Sequence, residues 1–394
     1  MACTAITDIV VRESGRYLAD EIYKRNFARS PWQTLVRRGE YPKGLGDTIN
    51  VLTYERSAPT DAAPTWSTVA TNDGDEGGAC LPPVTKVGIA STTRNFNLAR
   101  RALEGPDFCA EDLRTPFELA QQLNAVTDIL AEYVLLEWDI RDRHEYFRLC
   151  QRKVVIDGCP PTETNTTATT YPAVCATSIL TQGILNRYKV KLFRDGANQS
   201  ALGRMDGAPV LTLICSAETS DNLIFLNSDI RQDLRDGNPS ELLKAIGVER
   251  AYRGFFHVID SYPRRFSCDE QGAYTEIPAF SLTAATKGNK AEVNSTWETA
   301  SKEETFIFDP TVFTQLIPRP VVNPADKFTF DPVTYTGIWS VKNVPDRVCN
   351  PDGNIIYHRG ILAAGSMPVH PERGVAFVHL RCDPACNLVT ECPS

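Results

Sequence analysis

The segment from Thr115 to Cys150 constrains the fold more than any other. Thr115-Pro116-Phe117-Glu118 is a helix opening: threonine caps free N–H groups, proline suits the first helical position, and the glutamate closes a capping box. Leu119, Leu123, Val126, Leu130, Tyr133, Ile140 and Phe147 follow at spacings of three, four or their sums, which predicts one apolar stripe on a continuous helix. No glycine or proline interrupts the run from Phe117 onward. Glu137 with Arg141, and Asp139 with Arg143, stand four apart and are expected to pair on the outer face. Arg148, Arg152 and Lys153 place cations at the C-terminal end, and Gly158-Cys159-Pro160 stops the element. About 35 residues at ~1.5 Å each predict a rod of roughly 50 Å, against a mean helix of about three turns. Leu135, Leu136 and Trp138 lie off the main stripe, so contacts are expected on more than one side.

A chain of 394 residues has room for two or three domains and an ample core. With 42% hydrophobic and 23% charged residues it reads as folded. The net charge of −8 argues against a free-standing nucleic-acid-binding surface. No run of 18 apolar residues is present, so no transmembrane helix is expected, and the charges throughout Met1 to Arg29 do not read as a secretory signal. Twelve cysteines are too few for a disulfide scaffold at this length. Cys215 lies in an apolar run and reads as a core residue. Cys382, Cys386 and Cys392 lack the paired spacing or nearby histidines of a zinc site, so neither metal nor cofactor is expected.

Residues 1–46 read as an arm, with a short helical face of Ile9, Tyr17, Leu18 and Ile22 broken by Pro31 and by Tyr41-Pro42-Lys43-Gly44-Leu45-Gly46. Alternation predicts a strand over Gly46 to Tyr54 and a second over Val84 to Leu98. Between them, Ser57 to Pro83 holds prolines, an acidic Asn72-to-Gly78 run, Trp66 and Cys80, and no lysine or arginine. Such a loop cannot bury itself; if ordered, it is held from outside its own subunit. Thr162 to Thr170 reads as a surface loop and Ala176 to Arg194 as an amphipathic helix. Asp195-Gly196 and Gly203 to Gly207 read as loops. Pro209 to Cys215 and Gly254 to Asp260 are buried strands by their apolar runs, with helical segments Ala217–Leu226, Asp229–Arg235 and Glu241–Ile246 between them. Lys287 to Glu304 reads as polar loop. From Thr305 the pattern is β-rich: Phe306–Phe308, Phe328–Phe330, Gly337–Val341, Ile355–Ile361 and Val375–Leu380.

Catalytic signatures are missing. The sequence has no Gly-x-Ser-x-Gly elbow, no His-Glu-x-x-His, no phosphate loop and no Gly-x-Gly-x-x-Gly fingerprint. His144-Glu145 has no second ligand following it, Asp233/Asp236 suit a solvated face, and His257 reads as a satisfied core histidine. Tyr262-Pro263-Arg264-Arg265-Phe266 is a basic-aromatic patch suited either to a phosphate or to interface packing. No catalytic, cofactor-binding or metal-binding residue emerges.

The order of parts resembles the major capsid proteins of tailed bacteriophages, which share the Hong Kong 97-like fold. The resemblance rests on order and pattern, closest at Gly46 to Leu52, at Val210 to Asp260 with Ile246 to Tyr252, and at Phe330 to Cys382 with His358-Arg359-Gly360 and Gly374 to Phe377. It implies an α+β fold: an N-terminal arm (1–46), an extended β-hairpin loop (47–100), a peripheral domain (101–208) with spine helix 115–150, an α/β axial domain (209–304), and a β-rich return to the peripheral domain ending at 394. It implies a non-enzymatic structural protein that self-assembles as hexamers and pentamers into an icosahedral virion capsid. The shell forms in the host cytoplasm and encloses double-stranded DNA, without sequence-specific DNA binding and without a membrane. The partners implied are a separate scaffolding protein, a portal and a cement protein. Trp66, Cys80, Leu135, Trp138, Arg264 and Arg265 are the candidate intersubunit contacts. The alternatives are an encapsulin-like cellular compartment shell, another virion component such as a decoration or tail protein, and an α+β enzyme without a recognisable motif.

Overall fold

The computed structural model describes residues 32, 35–41, 48–54, 91–104, 108–109, 116–164, 169–197, 203–205, 208–225, 248–252, 255–285, 288–318, 334–335, 339–343, 355–356 and 358–381. Strands β1 Arg37–Tyr41, β2 Thr48–Tyr54, β3 Ser91–Glu104 and β4 Phe108–Cys109 precede the long helix α1, Pro116–Leu149. Next come β5 Arg152–Val155, β6 Thr162–Thr164, α2 Gln182–Arg194, β7 Gly203–Met205, β8 Ala208–Cys215 and α3 Ala217–Phe225. Strands β9 Val248–Tyr252, β10 Phe255–Ile259, β11 Arg265–Cys268, β12 Tyr274–Ile277, β13 Phe280–Ala285 and β14 Gly288–Val293 follow, then α4 Ser295–Glu298. The chain continues through β15 Lys302–Phe308, β16 Phe313–Pro318, β17 Thr334–Tyr335, β18 Trp339–Asn343, β19 Ile355–Ile356, β20 His358–Pro368, a 3-10 turn at Pro371–Arg373, and β21 Val375–Leu380.

Among the described residues the larger sheet runs β6-β5-β21-β15-β8-β10-β9, with β7 on β8 and the β11/β12 hairpin on β15. Its centre reads as continuous apolar sequence because both faces are covered. Successive side chains of a strand point to opposite faces. Val210 and Ile214 of β8, Phe306 and Phe308 of β15, and Ala376 and Val378 of β21 share one cluster with Tyr146 and Phe147 of α1 and with Trp32. Leu211, Leu213 and Cys215, Ile307, and Val375 and Phe377 point the other way, to Leu185, Tyr188 and Leu192 of α2. The sheet is thus the middle layer between two helices. The second sheet runs β1-β16-β20-β18-β17, with β3 on β20 and β2 on β3.

The expected helix 115–150 is present within a residue at each end. The hairpin strands are present as β2 and β3, paired antiparallel from Thr48 opposite Asn97 to Tyr54 opposite Ser91. However, β3 runs on to Glu104 where the sequence predicts an end at Leu98, and 84–90 lie outside the described residues. The buried strands before Cys215 and Asp260 are also present, and pair in parallel as β8 and β10. The short arm helix, the Ser57–Pro83 loop, helices 229–235 and 241–246, strand 328–330 and the three C-terminal cysteines lie outside the described residues.

Several expectations are corrected. α2 begins at Gln182 rather than at Ala176, after extended Thr181. Thr162–Thr164 and Gly203–Met205 are edge strands rather than loops, because each adds a short ladder to a neighbour, β5 and β8 respectively. The 287–304 stretch is not loop: it holds β14, α4 and the start of β15. The boundary drawn at 304 falls inside β15, and the larger sheet takes strands from all three segments 101–208, 209–304 and 305–394. Glu137 meets Arg101 of β3 at 2.8 Å, and Arg143 turns inward to Asp260, so the expected outer-face pairing of Arg143 gives way to a buried ion pair. The stripe is also rotated. Tyr133 and Ile140 are 41% and 37% exposed, whereas Trp138, Asp142 and Tyr146 are buried one turn apart. A buried face that carries charge, compensated from other strands, is invisible to apolar periodicity.

Candidate assembly site along the long helix

The C-terminal half of α1 is fixed to both sheets by polar contacts. Arg141 donates to the Ala364 carbonyl of β20 at 3.1 Å and to Ser366 Oγ at 3.3 Å. Asp142 Oδ1 accepts from Gln315 Nε2 of β16 at 2.7 Å. The Tyr146 hydroxyl donates to the Ile307 carbonyl of β15 at 2.7 Å and accepts from Asp309 N at 3.1 Å. Past the helix end, Lys153 Nζ donates to the Cys150 carbonyl at 3.0 Å, a cation at the negative end of the dipole.

Asp260 is a junction. Its carboxylate accepts from Arg143 Nη2 at 3.1 Å, from Trp32 Nε1 at 3.2 Å and from Tyr262 N at 3.0 Å, while its own N–H donates to the Cys215 carbonyl. One residue thus ties the N-terminal segment, α1, and the ends of β8 and β10. A second junction centres on Arg264, which contacts Glu304 at 3.1 Å and Glu276 at 2.9 Å; Tyr171 donates to Glu304 at 2.5 Å and His144 lies 3.3 Å from Glu276. Burial raises the Glu304 carboxyl against the pull of Arg264. Burial also pushes Glu276 upward, but the His144 hydrogen bond and Arg264 outweigh it and hold this carboxyl at about 2. A third set joins Arg265 to Glu218 at 2.9 Å and Glu303 at 3.5 Å; Ser216 and Thr219 donate to Glu303 and Arg381 to Glu218.

Of the sequence candidates, Arg264, Arg265 and Trp138 have their side chains among the described residues. Arg264 and Arg265 do not form a solvent-facing patch: they are 8% and 4% exposed and paired with carboxylates of their own chain. Burial works against both charges: for Arg264 the carboxylates of Glu304 and Glu276 outweigh the desolvation, whereas for Arg265 burial outweighs Glu303 and Glu218. Trp138 is likewise interior, 1% exposed, with the Arg141 guanidinium 5.3 Å above its ring. Trp66, Cys80 and the Leu135 side chain lie outside the described residues.

The outer surface of α1 is mixed: Tyr133 and Ile140 are exposed on it together with Asp128, Glu132 and Arg148. Leu136 and Ile140 line a cleft of about 350 Å³ with Asp260, Ile277, Pro278 and Phe280. Tyr133 is exposed one turn before Glu137. Sequence reading assigned Tyr133 and Ile140 to the core stripe, and only tertiary context could place them outside. Asp260 and Trp32 were also missed. An aspartate before Ser261-Tyr262-Pro263 signals a turn, not a buried acceptor for three donors.

His257 has a serine partner that sequence did not reveal: Ser220 Oγ lies 3.0 Å from Nδ1. Both side chains are 1% exposed, so His257 is a core histidine, bonded through Nδ1. Among the described residues no group of three or more His, Cys, Asp or Glu is placed to hold a metal ion, and no described helix is long and apolar enough to cross a membrane.

No family model matches the sequence, and no curated protein does. Solved structures do. The capsid protein of cyanophage Pam1 superposes with a TM-score of 0.50 at 11% identity, over 90% of this chain and 92% of that one. The capsid of Ralstonia phage GP4 gives 0.48 at 10% identity over 90% and 89%, and that of Helicobacter pylori bacteriophage KHP30 gives 0.43 at 7% over 89% and 91%. The likeness to the Pam1 capsid chain runs over about nine-tenths of both chains, so this chain shares its fold, an α+β capsid-protein fold.

Proposed function

We propose that this chain is the major capsid protein of a tailed phage. It assembles as hexamers and pentamers into an icosahedral shell around double-stranded DNA, built in the host cytoplasm with a separate scaffolding protein, a portal and a cement protein. The observation that carries the reading is the Pam1 likeness, which spans about nine-tenths of both chains. The architecture suits the role. The polar junctions of Asp260 and Arg264 tie the body together, while exposed Tyr133 and Ile140 leave apolar side chains for a neighbour. The acidic balance suits walls that do not grip packaged DNA. The Ser57–Pro83 loop, with Trp66 and Cys80, lies across the adjacent subunit, and Leu135 is a further contact. The arm is 1–46, the extended loop 47–100, and α1 is the spine of the peripheral domain.

Deleting residues 57–83 tests the reading. The shortened chain is expected to remain a soluble subunit on size-exclusion chromatography and to form no stable shells. Normal shells from it would remove this loop as an intersubunit arm.

A further inference from the structure

Among the cysteines whose side chains are described, one pair is bonded. Cys150 is fully buried, and burial pushes its thiol up to about 12 despite Lys153 nearby, so it stays an unreactive thiol at neutral pH. Cys215 is buried in β8. Cys159 is exposed but has no bonded partner. Cys175 and Cys268 are different: they are bonded across 93 residues, with Cα atoms 5.9 Å apart, and both are partly accessible.

Their surroundings hold the two segments together without the bond. The Tyr274 hydroxyl of β12 donates to the Val174 carbonyl at 2.8 Å and accepts from Ala176 N at 2.7 Å. The Asp269 carboxylate closes the β11/β12 turn, accepting from Gln271 N at 3.0 Å and Ala273 N at 2.7 Å. Gly272, at φ +80°, lays its bare Cα against the Ala173 backbone. Tyr171 packs on Tyr274 with ring centroids 5.6 Å apart. This clasp of contacts joins the two segments independently of the sulfur–sulfur bond.

We propose that Cys175 and Cys268 form a reversible thiol–disulfide site whose co-reactants are low-molecular-weight thiols and disulfides of the glutathione class. Closing runs in two exchanges. One protein thiolate attacks a sulfur of the small disulfide, forming a mixed disulfide and expelling one small thiolate. The second protein thiolate then attacks the protein sulfur of that mixed disulfide and expels the other. Two electrons pass from the protein sulfurs to the small molecule, and the two thiol protons go to the expelled thiolates. Reduction is the reverse. The bond limits the unfolded chain rather than creating the clasp, so reduced protein keeps its fold and loses resistance to heat. The site does not depend on the capsid reading.

The test uses the full chain, reduced with dithiothreitol and then treated with oxidised glutathione. Expected are a peptide pair linked through Cys175 and Cys268, an unchanged near-ultraviolet circular dichroism spectrum in both forms, and a melting midpoint higher by roughly 5 °C when oxidised. Cys175→Ser and Cys268→Ser should each melt like the reduced parent under both conditions. Absence of the linked peptide, a midpoint shift that persists in both variants, or loss of the near-ultraviolet spectrum on reduction would each overturn the proposal.

Discussion

Arg143 of the long helix and Asp260 at the end of β10 lie 3.0 Å apart, and both side chains are buried. They are separated by 117 positions in sequence, and their pairing fixes α1 over the sheet. Removing one partner of a buried pair strands the other's charge, at a cost of about 3–5 kcal/mol. Arg143→Met is therefore expected to lower the stability of the unassembled subunit by that amount in urea unfolding. Asp260→Ala should cost at least as much, since Trp32 Nε1 and Tyr262 N lose their acceptor as well.

Gly272 admits no side chain. Its φ of +80° disfavours any L residue, and an added Cβ would run into the Ala173 backbone. Gly272→Ala is expected to destabilise by about 2–4 kcal/mol. Gly158→Ala has nothing near its added methyl and should change the melting midpoint little.

Glu276 gives the subunit a dependence on acid. Its carboxyl is held at about 2, below the ordinary 4.5, so its stabilising contribution is complete above pH 4.5 and is lost as pH falls towards 2. Glu304, raised by burial, contributes with the opposite sign, so the informative comparison is parent against Glu276→Gln. That variant should be less stable at pH 7 by about 1–2 kcal/mol, allowing for partial solvent screening, and should show a flatter decline between pH 4.5 and 2. Urea midpoints at pH 7 and pH 3 measure both.

The helix itself is tested at Leu130. Proline there removes an internal hydrogen bond and clashes with the preceding turn, costing ~3 kcal/mol or more. Leu130→Pro is expected to yield insoluble or unassembled protein. Exposed Asp128→Ala should stay within roughly ±0.5 kcal/mol of the parent and assemble as the parent does. Equal behaviour of the two would contradict the helix.

These sites separate what sequence displays from what it conceals. β8, β10, β21 and the Phe306–Phe308 half of β15 are legible because burial on both faces leaves continuous apolar runs, and α1 because it has an uninterrupted body between a proline start and a Gly-Cys-Pro stop. β11/β12 and β13/β14 are not legible. Ser267, Thr275 and Asn289 break any apolar alternation, and these hairpins are defined by their ladders. The candidate site was the least legible part. Arg264-Arg265 and Glu303-Glu304 look like surface charge in sequence, yet each arginine meets its glutamate only when β11 pairs with β15. Trp138 was placed off the core stripe and is interior because β16 and β20 approach that side of α1. A stripe drawn from apolar residues alone cannot count Asp142 as buried.

The most direct measurement of the central claim is cryo-electron microscopy of the chain purified after co-expression with a scaffolding partner. The account predicts closed icosahedral shells whose repeating subunit shows the 34-residue helix beside a layered sheet, in rings of five and six. A population made up only of small monomers, with a defined catalytic turnover, would contradict it.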